Sequence, residues 1–234
     1  MPLIQEWLNY PEPGTPLTRD GQPDLAAKTP RAPHGKPDLS GVWQIEPPAP
    51  GEIERLYGKA DVSAVAGDDG REFSRYFANL FIDFKPGEEP ITPEAAAEAL
   101  RNRDSRNRRY FDGVFRQIHT DGRKLPMDPF PSWMGYSTGL WDGDTLVVDT
   151  VGFNDKTWLD AVGHPHSEAL RVRERFHRRD FGHLDIEATP EDPKTLTKPL
   201  TVRFTVLLFP NSDVLESFCA EGEKDRAYVG GAVR

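Results

Sequence analysis

The chemistry this chain could perform is concentrated in a few ionisable side chains between residues 116 and 174. The densest group is Gly163-His164-Pro165-His166-Ser167-Glu168. In extended backbone His164 and His166 project to the same side, so both could grip a metal ion or a substrate oxygen. A third ligand would have to come from Asp155, Asp160, His119 or Glu168, and no spacing singles one out. The other uses of these histidines are proton transfer, with Glu168 orienting a neighbouring imidazole by accepting its N–H, or a hydrogen bond to the backbone of a turn-rich loop. Glu174 stands out differently. It falls on the same face of an alternating segment as Leu170, Val172 and Phe176, the face that should be buried. A carboxylate there must be paired, hydrogen-bonded or protonated. It is either a general acid or base whose pKa is lifted by burial, or half of a structural ion pair with an inward arginine such as Arg116.

His119 precedes Thr120-Asp121-Gly122-Arg123, a turn at one rim, and serves either as a proton carrier or as a structural histidine. Arg116 and Arg123 are the candidate oxyanion partners, and Asp160 joins Glu174 as the second candidate carboxylate. The loop Pro126–Tyr136 is apolar, aromatic and stiffened by three prolines. Its Trp133 and Tyr136, with Phe153, Asp155 and Trp158 on the next connection, read as the wall of a pocket for a flat or hydrophobic ligand, or as a plug beneath the N-terminal leader. A Gly-rich phosphate loop, a Gly-x-Ser-x-Gly elbow and a His-Glu-x-x-His helix are all missing, so no nucleotide cofactor and no common hydrolase triad are expected.

Composition narrows the classes. The 29 basic and 38 acidic residues leave a net charge of −9, a diffuse negative field that disfavours a nucleic-acid partner. The basic run 101–109 reads as the solvated end of a helix. Cys219 is the sole cysteine, so neither an internal disulfide nor a cysteine metal cage is expected; it reads as a small apolar filler. No apolar run approaches the ~20 residues of a membrane span. The N-terminus lacks the basic patch, apolar stretch and cleavage site of a signal peptide, which implies either a cytoplasmic protein or a processed form behind an added Met1.

The elements that must position these residues are strands. Seven prolines from Pro11 to Pro37 exclude a helix or central strand from residues 1–40, leaving an extended leader, disordered or laid over the domain as a strap. Gly41–Glu46 reads as a first strand whose Gly-x-Trp opening is lipocalin-like. A short helix is expected around Ile53–Tyr57. Phe73, Phe77, Leu80, Phe81 and Phe84 fit one helical face. Thr92 caps a helix with Pro93 in its first turn, running from Ala95 to about Arg103. Together these make a helical insert over about 73–109. Beyond it, Val114–His119 reads as a strand with polar residues on both faces, so the interior is not purely apolar. Asp142-Gly143 joins Tyr136–Trp141 to Asp144–Val151 as a hairpin. Leu170–Ala188 forms a second hairpin folded about Asp180, with Arg173 opposite Glu187 and Arg175 opposite Asp185. Leu200–Leu208 is a third strand, and Val214–Phe218 returns beside it. Sequential hairpins of this kind predict a mainly β, antiparallel, lipocalin-like (calycin-type) barrel over residues 41–225, followed by a tail at 226–234.

Several segments carry a family resemblance: Gly35–Trp43, Phe115–Arg123, Trp133–Ser137, Trp141–Phe153, and Trp158–Asp160 with Gly163–His166 and Leu170–Glu174. As a set they resemble a large group of uncharacterised, mostly exported bacterial proteins, over most of residues 24–225. The resemblance implies a periplasmic or secreted home. It supplies no agreed reaction. The chain departs from the pattern in having no signal peptide, and in lacking a Cys-Leu-Pro segment and a hairpin before Val114.

The expectation is a cofactor-independent acid–base enzyme, a hydrolase, lyase or isomerase, acting on a small apolar or aromatic molecule in a barrel cavity. The alternatives are a non-catalytic small-molecule binding protein with the same pocket, and a metal-dependent enzyme using His164 and His166.

Overall fold

The computed structural model describes residues 14–45, 76, 79–85, 87–104, 115–160 and 162–210. Its framework is one seven-stranded sheet, in the order β1-β7-β6-β5-β4-β3-β2. The strands are β1 (Trp43–Ile45), β2 (Ile118–His119), β3 (Tyr136–Asp142), β4 (Thr145–Val151), β5 (Arg171–Arg178), β6 (His183–Glu191) and β7 (Val202–Leu208). From β3 to β7 the sheet is an antiparallel meander, as the alternating pattern and turn signals require. β1 returns antiparallel to β7, whereas β2 runs parallel to β3.

The sheet is mainly antiparallel but is not closed. β1 and β2 form its two edges and do not pair with each other. Closure needs two edges long enough to hydrogen-bond along a shared tilt, and these edges are three and two residues long. The strand expected over Val114–His119 joins the ladder only at Ile118 and His119; Phe115 lies outside it, 88% exposed.

Strand parity sorts the side chains. The inner face carries Val148, Glu174, Ala188 and Val202 in one register row, and Leu146, Phe176, Ile186 and Phe204 in the next. The outer face carries the charges. The second hairpin keeps the faces read from sequence but shifts the register by two residues: Arg175 lies opposite Glu187 and His177 opposite Asp185. The cause is a reversal centred on Phe181 and not on Asp180: Arg178 lies opposite Leu184, the Arg179 N–H donates to the His183 carbonyl, and Asp180-Phe181-Gly182 make the turn. There one carboxylate oxygen of Asp180 accepts the backbone N–H groups of Gly182 and His183 and lies 2.6 Å from Nδ1 of His183. The first hairpin also turns one residue later than its Asp-Gly suggests. Asp142 pairs with Thr145, and Gly143, at φ 59°, takes the first central position that a II′ turn reserves for glycine.

The leader straps this turn-bearing end. Phe181 and Gly182 donate their N–H groups to the carbonyls of Ala27 and Leu25, and Gly182 leaves no room for a Cβ beside Leu25. Arg31 grips Asp144 with two 2.6 Å hydrogen bonds, and Lys36 donates to the Gly143 carbonyl. Beneath the strap Arg178, 3% exposed, stacks over Trp43 and Phe181 and donates to the carbonyls of Phe181 and Asp38.

At the opposite end the inner face is covered by the insert. Leu80 and Phe81 pack with Leu196, Leu200 and Val202, and Ala188 and Phe204 border the cluster. Of the helical face read from Phe73, Phe77, Leu80, Phe81 and Phe84, Phe73 and Phe77 lie outside the described residues; Tyr76 is helical, whereas residues 80–84 form turns, with the Asn79 side chain accepting the Phe81 N–H. α1 spans Pro93–Asp104, capped at Thr92 as its sequence predicts. The short helix at 53–57, the strand at 214–218 and Cys219 lie outside the described residues. No helix among the described residues is long and apolar enough to cross a membrane.

Candidate active site

The residues singled out by sequence fall into four separate groups. On the inner face Arg116 and Glu174 form a two-point ion pair, at 2.6 and 3.3 Å. Each carboxylate oxygen thereby has a guanidinium N–H, which is the structural alternative for Glu174. On the outer face, at the β2–β3 edge, the His119 ring lies 5.0 Å from that of Tyr136, and Arg123 binds Asp121 and donates to the Tyr136 hydroxyl at 3.3 Å. The neighbouring guanidinium holds the Asp121 carboxyl down at about 2. His119 pairs in register with Thr138, one step out of phase with Ile118 and Ser137, so it looks away from Glu174. These two groups occupy opposite faces and share no concavity.

The other two groups lie on the connection from β4 to β5. Asp160 is buried and its carboxylate is saturated by local donors. One oxygen accepts the N–H groups of Gly163 and His164, and the other accepts that of Leu80 at 2.8 Å and lies 2.6 Å from Nδ1 of His164. A carboxylate ringed by backbone donors acts as acceptor, so Nδ1 carries the proton. Nε2 is then the nitrogen that can exchange one, and it has no hydrogen-bond partner among the described residues. The imidazole stands edge-on to Phe81 at 4.6 Å and is 8% exposed. Asn102 of α1 fixes the turn from behind by donating to the Gly163 carbonyl. The i, i+4 spacing and Gly163 allow this closure: the chain turns back at Gly163, whose N–H also bonds the Asp160 carbonyl.

His166 faces different partners. Its Nε2 lies 2.6 Å from the Thr157 hydroxyl and its Nδ1 3.3 Å from the Ser167 carbonyl. A carbonyl only accepts, so Nδ1 is the donor and Nε2 takes the hydroxyl proton, which describes a neutral ring. Burial pushes its pKa below the ordinary value. Trp158 makes an isolated bridge to Pro165, Trp133 has Lys156 above its ring, and Asp155 is exposed. The two histidines thus do not converge, and no group of three or more metal-ligating side chains comes together among the described residues.

Sequence reasoning missed Asp192, Ser167 and Thr157. The Asp192 carboxylate is 2% exposed and accepts the N–H and hydroxyl of Ser167 at 2.6 and 2.8 Å and the Lys194 N–H at 3.0 Å. Burial alone would raise its pKa; these donors outweigh it and hold the carboxyl below the ordinary range. The signal was present in Asp192-Pro193-Lys194, an aspartate able to bond its own backbone two residues on. Ser167 and Asp192 tie together two walls of a cleft of about 1220 Å³ at the loop end of the sheet. Its other walls include Leu125, Pro129, Phe153, Leu170 and Leu196. Of the residues expected to form a pocket wall, Phe153 and, from the loop, Pro126, Met127, Asp128, Pro129 and Pro131 line the cleft, whereas Trp133, Tyr136, Asp155 and Trp158 do not. No family model, curated protein or solved structure matches the chain.

Proposed function

We propose that the protein is a cofactor-independent enzyme of the acid–base type, a hydrolase, lyase or isomerase, whose proton carrier is Nε2 of His164, oriented by Asp160. The observation that carries this reading is the 2.6 Å contact between Nδ1 and a carboxylate already held by three backbone donors. Such a carboxylate fixes the tautomer and supports the imidazolium that forms when Nε2 takes a proton. The substrate is a small molecule with an apolar or aromatic body, which fits the cleft walls and Phe153. His164 lies behind that wall: Phe81, which it abuts, packs in one cluster with Leu196, which lines the cleft. A lipocalin-like form of the sheet and a periplasmic or secreted home belong to the same proposal. Their supports are the return of β1 onto β7 and Trp43 beneath Arg178 for the first, and the family resemblance for the second.

The test is turnover. A library of apolar and aromatic esters, hydroxy acids and enones is incubated with the full chain and followed by mass spectrometry, alongside His164→Gln. General acid–base catalysis contributes about 10²–10⁴-fold, so a hit should slow at least about 100-fold in the variant. A turnover indifferent to His164 overturns the reading. One observation favours a second function, non-catalytic binding: neither Asp160 nor His164 lines the cleft. That reading prevails if a captured ligand is returned unchanged by the wild-type chain.

A further inference from the structure

Antiparallel pairing outside the main sheet brings a hydroxyl and an imidazole together on the connection from β4 to β5. Trp158 bridges Pro165, so the residues one step outward, Thr157 and His166, lie opposite each other. Their side chains meet: the Thr157 hydroxyl is 2.6 Å from Nε2 of His166. The other ring nitrogen, Nδ1, donates to the Ser167 carbonyl at 3.3 Å. Ser167 is itself held by the buried Asp192 carboxylate, through its N–H and its hydroxyl. Nε2 is therefore a fixed acceptor for the Thr157 proton. Burial favours the neutral, proton-accepting form of this ring. A hydroxyl, a base within hydrogen-bond reach and a third group orienting the base are what activates an alcohol as a nucleophile.

A second observation concerns the charge that such a nucleophile creates. Attack on a carbonyl needs a donor for the developing oxyanion. Pro165 has no N–H, so the bridge is closed by the Leu159 N–H on the His164 carbonyl. The Trp158 N–H, next along the chain from the hydroxyl, is left over. Neither it nor the Thr157 N–H has an acceptor among the described residues. Thr157 is half-buried and so within reach of a ligand, whereas His166 is buried. Phe153, which lines the loop-end cleft, meets the His166 ring edge-on at 6.1 Å. With Trp158 and Pro165 adjoining, these surroundings suit an apolar acyl group.

We propose that Thr157 and His166 form a second reactive centre, distinct from His164, which transfers the acyl group of small apolar esters to water. The Thr157 oxygen bonds to the ester carbonyl carbon while its proton passes to Nε2, and the Trp158 N–H receives the carbonyl oxygen. Collapse breaks the bond to the leaving alcohol, which takes the proton from Nε2. Water then gives a proton to Nε2 and attacks the threonyl ester. The second collapse breaks the bond to Thr157, whose oxygen recovers the proton. One ester and one water become one acid and one alcohol, with no other reactant.

The experiment exposes the full chain to an alkyl fluorophosphonate, which loses fluoride to an activated hydroxyl, and to p-nitrophenyl butyrate. Peptide mass spectrometry should place the phosphonyl adduct on Thr157, and p-nitrophenolate should be released catalytically. Thr157→Val should abolish the adduct and Thr157→Ser should restore it. A general base contributes about 10²–10⁴-fold, so His166→Gln should slow labelling at least about 100-fold. Near-UV circular dichroism checks that each variant is folded. A wild-type chain with no label at Thr157 overturns the proposal without recourse to any variant. So does labelling at Thr157 that runs equally fast in His166→Gln, since the hydroxyl then owes nothing to the ring. The adduct is read at Thr157 directly, so the His164 reading can hold or fail without altering this result.

Discussion

The two ends of the sheet solve opposite problems with the same backbone. At the turn-bearing end both hairpin loops are short and tied to the leader, and a buried guanidinium closes the inner face over Trp43. At the loop end the connections are long, the insert replaces the leader as cover, and a cleft of about 1220 Å³ remains. The contrast lies in how polar groups are satisfied. Arg178 has backbone carbonyls and aromatic faces about it, and no ligand is needed to complete it. Asp128 and Glu168 have no protein partner among the described residues. Rigidity gathers where the polar groups are spent internally, and capacity for binding where they are not.

The largest effect that would test this contrast is at Arg178. Arg178→Ala leaves the Phe181 and Asp38 carbonyls without their donor and strips the cover from Trp43. Each buried carbonyl left without its donor costs about 1–3 kcal/mol, so with the lost packing on Trp43 the variant should lose about 3–5 kcal/mol. Urea unfolding of the variant should show that loss, against a change within about 0.5 kcal/mol for Glu168→Gln at the cleft rim. A cost below about 1 kcal/mol at Arg178 would mean the turn-bearing end is not the anchored one.

Asp160 sharpens the comparison, because it is the point at which the loop end is itself stapled. Asp160→Ala removes the acceptor for three backbone N–H groups and for Nδ1 of His164. Each buried donor left unpaired costs about 1–3 kcal/mol unless water reaches it. The net expectation is about 2–4 kcal/mol, less than at Arg178 because Gly163 and His164 can relax outward with their loop. Asp160→Asn, which keeps one acceptor oxygen, should recover part of the loss. A larger cost at Asp160 than at Arg178 would reverse the ranking of the two ends.

Which parts of this are legible in the sequence follows the same division. The strands from β3 to β7 and their faces can be read because alternation and turn residues are local. The two-residue register difference arises because the reversal centres on Phe181, one residue beyond Asp180, a choice made by the bonds of Asp180 to His183 and by Leu25 across the molecule. Arg178 is within reach of the parity argument that exposes Glu174, since 170, 172, 174, 176 and 178 share a face, but a buried cation at a strand end looks the same in sequence as a solvated one. The pairing of Arg116 with Glu174 is one of the two options that sequence leaves open. The position of His119 is not legible, because it depends on β2 joining parallel to β3, which no local pattern encodes. Closure into a barrel follows from strand number alone in the sequence, and the lengths of the edge strands decide against it. At the candidate site the sequence singles out Asp160 and His164 but not their contact, which depends on the reversal at Gly163.

His166 offers a gentler probe of the loop end, through pH. Burial lowers its pKa in the folded protein below the ordinary value of about 6.5. The unfolded chain therefore takes up this proton more readily than the folded one. The stability tied to neutral His166 is complete above about pH 6.5 and declines as the pH falls through that value towards the depressed folded one. Melting temperature should drop between about pH 7 and about pH 5, and His166→Gln should flatten that part of the profile even though it lowers the plateau. An unchanged slope in the variant would place the acid sensitivity elsewhere.

The smallest effect is expected where the eye is most drawn, at the two-point contact of Arg31 with Asp144. Both side chains are nearly half exposed, so water and salt screen the attraction, and ordering two flexible side chains offsets what remains. The guanidinium nevertheless holds the Asp144 carboxyl below its ordinary value, so the pair favours the folded state above that value and loses its effect as acid protonates Asp144. Arg31→Ala should leave the urea midpoint almost unmoved at neutral pH, and added salt should erase even that difference. The leader is held by its backbone bonds to Phe181 and Gly182 and by Leu25 packed on Gly182. If Arg31→Ala instead frees the leader to proteolysis at neutral pH, the strap hangs on a surface ion pair, and the turn-bearing end is less securely closed than its buried arginine implies.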